Sequence, residues 1–294
     1  MPTKPDAPEG VLPVDKPEGP TSHDVVARAR RALGERRIGH TGTLDPFASG
    51  LLLLCVGRAT RIAEYLTGMP KSYRATLRLG TATATDDRTG DVVATSESWR
   101  ALGDDDVRAA LQAEVGARAQ LPPAYSAKKI EGRRAYQLAR EGAAVTLASA
   151  NIDIEHIEVI DVALPDVTFD VRCSSGTYIR AIARDVGERL GTHAHLSALR
   201  RTAIGTHTVG DALPLDELDT EARWRRALIQ PADAIRDMPR IEVDADGQAA
   251  LAHGRALDAA GALDADPVAV LHAGSLIAIG AVRNGTLQPR KVFL

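Results

Sequence analysis

Residues 51–56, Leu-Leu-Leu-Leu-Cys-Val, are the longest uninterrupted apolar run in the chain. Side chains along a strand point alternately to its two faces, and here neither face is polar, so the run reads as a buried β-strand. It falls far short of the roughly 20 residues that cross a bilayer. Directly before it, residues 39–50 set three glycines, two threonines and a serine around one carboxylate, Asp45. A buried strand entered from a glycine-rich loop is the frame into which the rest of the chain must fit.

The neighbouring patterns mix both periodicities. Residues 10–15 read as a short strand leading into the turn Lys16-Pro17-Glu18-Gly19-Pro20. A helix follows, with Ser22 as its expected N-cap, Val25, Val26, Ala29 and Leu33 as its apolar stripe, and Gly34 at its end. Ala75, Leu77 and Leu79 alternate with Thr76 and Arg78, and Phe169, Val171 and Cys173 alternate with Thr168, Asp170 and Arg172, which predicts two half-solvated strands. After Ser174-Ser175-Gly176 the period changes: Ile179, Ile182, Ala183, Val186 and Leu190 share one helix face, and Arg180 and Arg184, four apart, share another. The fold class is therefore α+β.

At 294 residues, a large domain plus a small one is expected. The acidic stretch 211–237, marked by Pro214 and Pro231, places the junction near Pro239. Beyond it come a short helix around 247–253 and a β-rich segment with a hairpin at Asn284-Gly285. About 55 residues is close to the lower limit for an independent core, so this piece should pack on the main domain.

The net charge of -3 argues against a nucleic-acid partner only on average. Arg118, Lys128, Lys129, Arg133, Arg134 and Arg140 face a single acid, Glu131, within 118–140, and Arg172, Arg180, Arg184, Arg189, Arg200 and Arg201 cluster within 172–201. Acids gather at Asp104 to Asp106 and in 211–246, a segregation that reads either as one basic face and one acidic back or as ordinary solvated helix faces. The two cysteines, Cys55 and Cys173, form no C-x-x-C pair and lie at no metal-ligand spacing, as expected of buried thiols in a reducing cytosol. Residues 1–10 contain no apolar signal region, so the chain reads as cytoplasmic with a disordered tail.

Glycines let a backbone approach a ligand closely, and Pro46 pushes Asp45 into extended dihedrals, so the loop presents this carboxylate. An Asx-turn or helix cap is the ordinary job of Asp before Pro, and the residues alone leave both open. A phosphate-binding loop is set aside because no lysine follows the glycines in the required pattern.

Four blocks, Asp15-Lys16-Pro17-x-Gly19-x-Thr21-Ser22, residues 39–50 as Gly-His-Thr-Gly-Thr-Leu-Asp-Pro-x-Ala-Ser-Gly, Lys71-x-Tyr73, and residues 174–180 as Ser-Ser-Gly-Thr-Tyr-Ile-Arg, together closely resemble the TruB family, the tRNA pseudouridine-55 synthases. The resemblance implies a mixed-sheet catalytic domain over 11–238, an RNA-gripping insertion at about 118–150, and a small PUA-like domain over 239–294. It further implies isomerisation of uridine-55 in the T stem-loop of tRNA by base flipping. No cofactor, metal, guide RNA, obligatory protein partner or membrane would be involved, and the protein would be a monomer.

By the same resemblance Asp45 is the essential carboxylate, as nucleophile or as base. Tyr73 stacks on the flipped base and serves as proton acceptor for C5. Arg180 pairs bidentately with Asp45, keeping it ionised. Tyr178 supports the pocket, and His40 fills the space the base vacates. Leu199 forms a wall beneath the uracil, and Lys16 is the structural lysine beside the site, grouped with the RNA contacts. Lys128, Lys129 and Arg133 belong to the gripping segment, with Lys128 standing where the family usually has a hydrophobic residue. Without the resemblance, Tyr73 and Tyr178 read equally as core aromatics and His40 as a solvated loop residue. The rivals are a tRNA-folding chaperone and the guide-dependent branch of the family, which usually carries a basic tail not found after Lys291-Val292-Phe293-Leu294. A ribosomal-RNA synthase would carry a His-Arg-Leu-Asp motif, which is absent.

Overall fold

Both faces of the 51–56 run are covered, which is why no polar residue interrupts it. Leu52, Leu54 and Val56 pack with Leu12 and Val14 against Val25, Val26, Ala29 and Leu33 of the helix Ser22–Leu33. Leu51, Leu53 and Cys55 pack on the opposite face with Val11, Ile62 and Leu66. All four leucines are fully buried, each contributing about 1.5–3 kcal/mol of transfer free energy. The computed structural model from which these contacts come describes residues 7–123, 125, 129–130, 133–134 and 148–293, with 129–130 and 133–134 described through their backbone alone.

The run lies within the strand Ser49–Val56, near one end of a ten-stranded mixed sheet. Along the main path the order is Leu213–Pro214, Gly10–Lys16, Ser49–Val56, Ala194–Ile204, Lys71–Leu79, Asp166–Cys173, Ala150–Ala163 and Gly116–Gln120. Most neighbours are antiparallel, but Ser49–Val56 runs parallel to Ala194–Ile204 in a short contact that pairs Ser49 with Arg200 and Gly50 with Arg201. A Cβ on Gly50 would sit 2.2 Å from the Arg201 carbonyl, and its φ of +105° suits glycine alone, so this crossing requires Gly50. It joins the two halves of the sheet where the functional loop enters.

Several expectations need correction. The helix Ser22–Leu33 is capped by Thr21, not Ser22: the Thr21 hydroxyl accepts from the Asp24 amide at 3.1 Å while the Asp24 carboxylate accepts from the Thr21 amide at 2.8 Å. The first strand begins at Gly10, and Glu9 pairs with Arg58 at 2.5 Å, so residues 9 and 10 belong to the folded unit and not to the expected 1–10 tail. Arg118 lies on the edge strand Gly116–Gln120, where it pairs with Glu114 and Asp185, so 118–120 is sheet and not gripping insertion. The 172–201 arginines do not form a free basic face either. Arg172 pairs with Glu155, Arg184 with Asp86 and Asp185, Arg189 with Glu114, and Arg200 with Asp15. Asp185 is the sequence neighbour of Arg184, whereas Asp15, Asp86, Glu114 and Glu155 come from other parts of the fold, which a count of charge within 172–201 does not reveal.

A second, five-stranded sheet follows the order Arg240–Glu242, Ala265–His272, Ser275–Arg283, Thr286–Val292, Leu257–Asp258. Asn284 and Gly285, both at positive φ, turn its central hairpin. Its Ala269, Ile279 and Phe293 join Ile62, Leu66 and Ile204 in one apolar cluster, and the Arg61 guanidinium lies 4.9 Å from the Phe293 ring. This C-terminal β-rich unit is thus packed on the first sheet. No helix among the described residues is long and apolar enough to cross a membrane.

Candidate active site

A cavity of about 420 Å³ opens where residues 41–45, the strand Lys71–Leu79, residues 175–180 and the strand Ala194–Ile204 meet. Its walls include Asp45, Tyr73, Tyr178, Arg180 and Leu199, side chains drawn from four separate stretches of sequence.

The loop carrying Asp45 is held by its backbone. The Ser22 hydroxyl, buried, donates to the Leu44 carbonyl at 3.1 Å and accepts from the Leu44 amide at 2.9 Å. The Gly19 amide donates to the Pro46 carbonyl at 2.8 Å, and the Ala48 amide to the Asp45 carbonyl at 3.1 Å. Arg201, 1% exposed, donates to the Gly42 carbonyl at 3.0 Å and the Leu51 carbonyl at 2.7 Å. Asp45 is therefore fixed from both sides while its side chain stays 34% exposed to the cavity.

Arg180 reaches Asp45 through Nε alone, 3.0 Å from Oδ2. The bidentate pairing expected from the sequence does not form, because the other guanidinium arms are engaged elsewhere. Nη1 donates to the Thr85 carbonyl at 2.7 Å and lies 3.5 Å from the Asp87 carboxylate, and Nη2 donates to the Tyr125 carbonyl at 3.0 Å. Burial pushes Asp45 above the usual carboxylate range, Arg180 pulls it back, and Asp87 adds to the rise. The net shift opposes ionisation, contrary to the expectation for an Arg-paired Asp.

Asp87 is the residue that sequence reasoning missed. It is 4% exposed and accepts from the Thr85 hydroxyl at 2.8 Å, the Thr89 amide at 2.9 Å and the Thr89 hydroxyl at 2.5 Å. Its only local signal was the run of threonines around an Asp pair, Thr81-Ala82-Thr83-Ala84-Thr85-Asp86-Asp87.

Tyr73 sits within the strand Lys71–Leu79, 8% exposed, its phenol pushed up by burial and drawn down by Arg201. Tyr178 precedes the helix Ile179–Arg189, and the Gln120 side chain clamps its backbone, accepting from its amide at 2.8 Å and donating to its carbonyl at 3.0 Å. Leu199, 7% exposed, lines the cavity and belongs to the main core. His40 ends the strand Ile38–His40; its Nδ1 accepts from the Gly42 amide at 3.3 Å, and its ring stands edge-on to His23 at 5.4 Å.

Lys16 is not placed to touch RNA. It is fully buried and donates to the Pro17 and Pro20 carbonyls, both at 2.9 Å, and burial lowers its amine to about 8 although Asp45 lies near. Lys71, also buried, donates to the Thr67 and Met69 carbonyls at 2.6 Å and is likewise lowered to about 8, by burial and by Arg201. Lys128 lies outside the described residues, as do the side chains of Lys129 and Arg133, whose backbones lie on two short antiparallel strands that pair Lys129 with Arg134 and Ile130 with Arg133. Among the described residues no three His, Cys, Asp or Glu side chains converge as metal ligands.

Comparison with known proteins places the chain among pseudouridine synthases. A family model described as TruB family pseudouridylate synthase (N terminal domain) matches residues 30–179, and one described as tRNA pseudouridylate synthase B C-terminal domain matches residues 180–236. The chain is 44% identical to tRNA pseudouridine synthase B of Arthrobacter sp. (strain FB24), over 97% of this chain and 96% of that protein. It is 42% identical to the protein of that name from Burkholderia lata, over 97% and 90%. Among solved structures it resembles a chain of an H/ACA RNP bound to a substrate RNA containing 2'-deoxyuridine, with a TM-score of 0.74 at 26% identity, covering 97% of this chain and 85% of that one. A chain of a Cbf5-Nop10-Gar1 complex matches with the same TM-score, 0.74, at 27% identity, covering 99% and 91%.

Proposed function

The chain belongs to the TruB family of pseudouridylate synthases, and on that premise we propose that it converts uridine-55 in the T loop of tRNA to pseudouridine, with Asp45 as the essential carboxylate. The observation that carries this reading is the convergence of Asp45, Arg180, Tyr73, Tyr178 and Leu199 on one cavity. At about 420 Å³ it is of a size to receive one nucleoside, and its lining by sheet residues such as Tyr73 and Leu199 supports entry of a base flipped out of its stack.

The reaction breaks the bond from N1 to C1' of the ribose, turns the uracil and rejoins it through C5. Asp45 acts on the sugar or base as nucleophile or as general base, and Arg180 orients it. Tyr73 stacks on the base and accepts the C5 proton once the new bond has formed. Leu199 is the apolar floor, Tyr178 a wall, and His40 the loop residue beside the vacated stack. No cofactor, guide RNA or obligatory protein partner takes part, and the protein works as a cytoplasmic monomer. The catalytic unit spans 11–238 and the PUA-like unit 239–294, with RNA gripped by the segment that includes Lys128, Lys129 and Arg133.

The test uses purified protein and an unmodified tRNA transcript tritiated at uridine C5. Wild-type protein should release about one equivalent of tritium and Asp45→Asn none. Absence of release from the wild type, with tRNA binding retained, would mean a chaperone or a guide-dependent enzyme; substantial release by Asp45→Asn would remove that residue from its role.

A further inference from the structure

Arg201 is among the largest fully buried side chains of the protein, yet no carboxylate lies within ion-pair distance of it among the described residues. Its nearest charged neighbours compound the cost: Lys16 and Lys71 are both lowered by burial and by the guanidinium. Capping the Gly42 and Leu51 carbonyls does not require a full charge, since neutral donors satisfy carbonyls. A buried cation that carbonyls satisfy but no carboxylate neutralises is expensive, several kcal/mol in general terms, and an anion forming beside it would offset that cost.

The register identifies that anion. Arg201 stands opposite Tyr73 across the antiparallel pair of Ala194–Ile204 with Lys71–Leu79, and both residues line the cavity that holds Asp45. We propose that Arg201 is the positioning residue of the last proton transfer, its guanidinium holding the Tyr73 oxygen as the acceptor of the C5 proton. The proposal rests on the pseudouridine-forming function above. In the balanced step, Tyr73, its phenol proton first passed to solvent water, takes the proton from C5, the C5–H electron pair becomes the C5–C6 double bond, and the C6–N1 imine pair moves to N1, which takes a proton from solvent water. The guanidinium stays protonated throughout. Of the groups acting on the Tyr73 phenol, burial is the largest and opposes the phenolate, and Arg201 is the cation that favours it.

The experiment compares tRNA transcripts carrying uridine, 5-deuterouridine or 5-fluorouridine at the target. The last has no C5 proton, so its rearrangement reads every step up to the new bond. For Arg201→Gln, single-turnover isomerisation of uridine should fall on the order of 10²-fold, deuterium should slow it further, and 5-fluorouridine, which reads only what the loop loses with the bonds to Gly42 and Leu51, should lose distinctly less than uridine. Arg201→Lys, which keeps the charge, should recover part of the loss. Equal losses on uridine and 5-fluorouridine without an isotope effect would make Arg201 a scaffold for the loop and overturn the proposal. The ratio is taken within one preparation, so a partly folded variant does not distort it; should Arg201→Gln not fold, Arg201→Lys is read the same way, with a smaller selective loss expected. Failure of the wild type to isomerise uridine at all would instead break the functional reading.

Discussion

The two sheets treat buried charge in opposite ways. In the first, Lys16, Lys71, Asp87, Arg180 and Arg201 are all buried, gathered around one loop. In the second, between Arg240 and Val292, the described buried side chains are apolar, Leu251, Val268, Val270, Ile277 and Leu287 among them, and the arginines stay at the surface. Desolvating a charge without adequate partners costs more than burying a leucine gains. The first sheet retains such charges at the cavity, and the second, which carries none, behaves as a packed module.

The strongest test of that contrast is Asp45→Asn. Activity should fall by about 10³-fold or more, whereas stability at neutral pH should hold or rise, because burial already disfavours the ionised carboxylate. The sign follows from linkage: a folded-state value above the unfolded one means stability is lost as pH rises, and Asn does not ionise. Thermal melts at pH 5 and pH 8 check this, and a large fall in Tm at both would mean that Asp45 is structural. Asp87→Asn comes next. All three hydrogen bonds from Thr85 and Thr89 end on one oxygen, Oδ1, and a neutral amide oxygen accepts them more weakly than a carboxylate, so a loss of about 1–3 kcal/mol in stability is expected. Arg180 also loses its second carboxylate, and turnover should fall about tenfold or more with tRNA affinity unchanged. Wild-type turnover by this variant would leave Asp87 a structural role only.

Lys16→Met is a smaller, pH-dependent test. The Lys16 amine sits at about 8 in the fold against 10.5 outside it. Between those values the unfolded chain binds a proton that the folded chain does not, so wild-type stability rises with pH across the window and is flat below about 8. Denaturant unfolding from pH 7 to 10.5 should show the wild type gaining on Lys16→Met, and parallel curves would mean that the ammonium is not desolvated.

What the sequence revealed of this contrast depended on how local each contact is. The strand at 51–56 was legible because an apolar run is a property of neighbouring residues, whereas Asp45 and Arg180 were singled out only because the blocks that carry them resemble the TruB family. Arg201 was hidden because Arg-Arg reads as a surface pair; only the strand's two-residue period turns Arg200 out to Asp15 and Arg201 into the cavity. Asp87 was hidden because its partner is 93 residues away in sequence, Arg180 against Asp87. Ser22 looked like a cap because both Thr21 and Ser22 are capping types, and only packing decides that Ser22 is the buried clamp on Leu44.

The smallest effect is expected in the second sheet, where the comparison is easiest to break. Asp266 lies below the usual carboxylate range through its hydrogen bonds with Arg290 and Arg283, at the protein surface. Any stability it gives is present above that range, lost as pH falls through its folded value, and weakened by salt. Arg290→Ala should therefore change Tm by no more than about 2 °C at neutral pH, by less in high salt or acid, and leave single-turnover isomerisation untouched. A loss of tRNA affinity in Arg290→Ala with Tm unchanged would place this face of the second sheet on the RNA and end its description as a packed module alone.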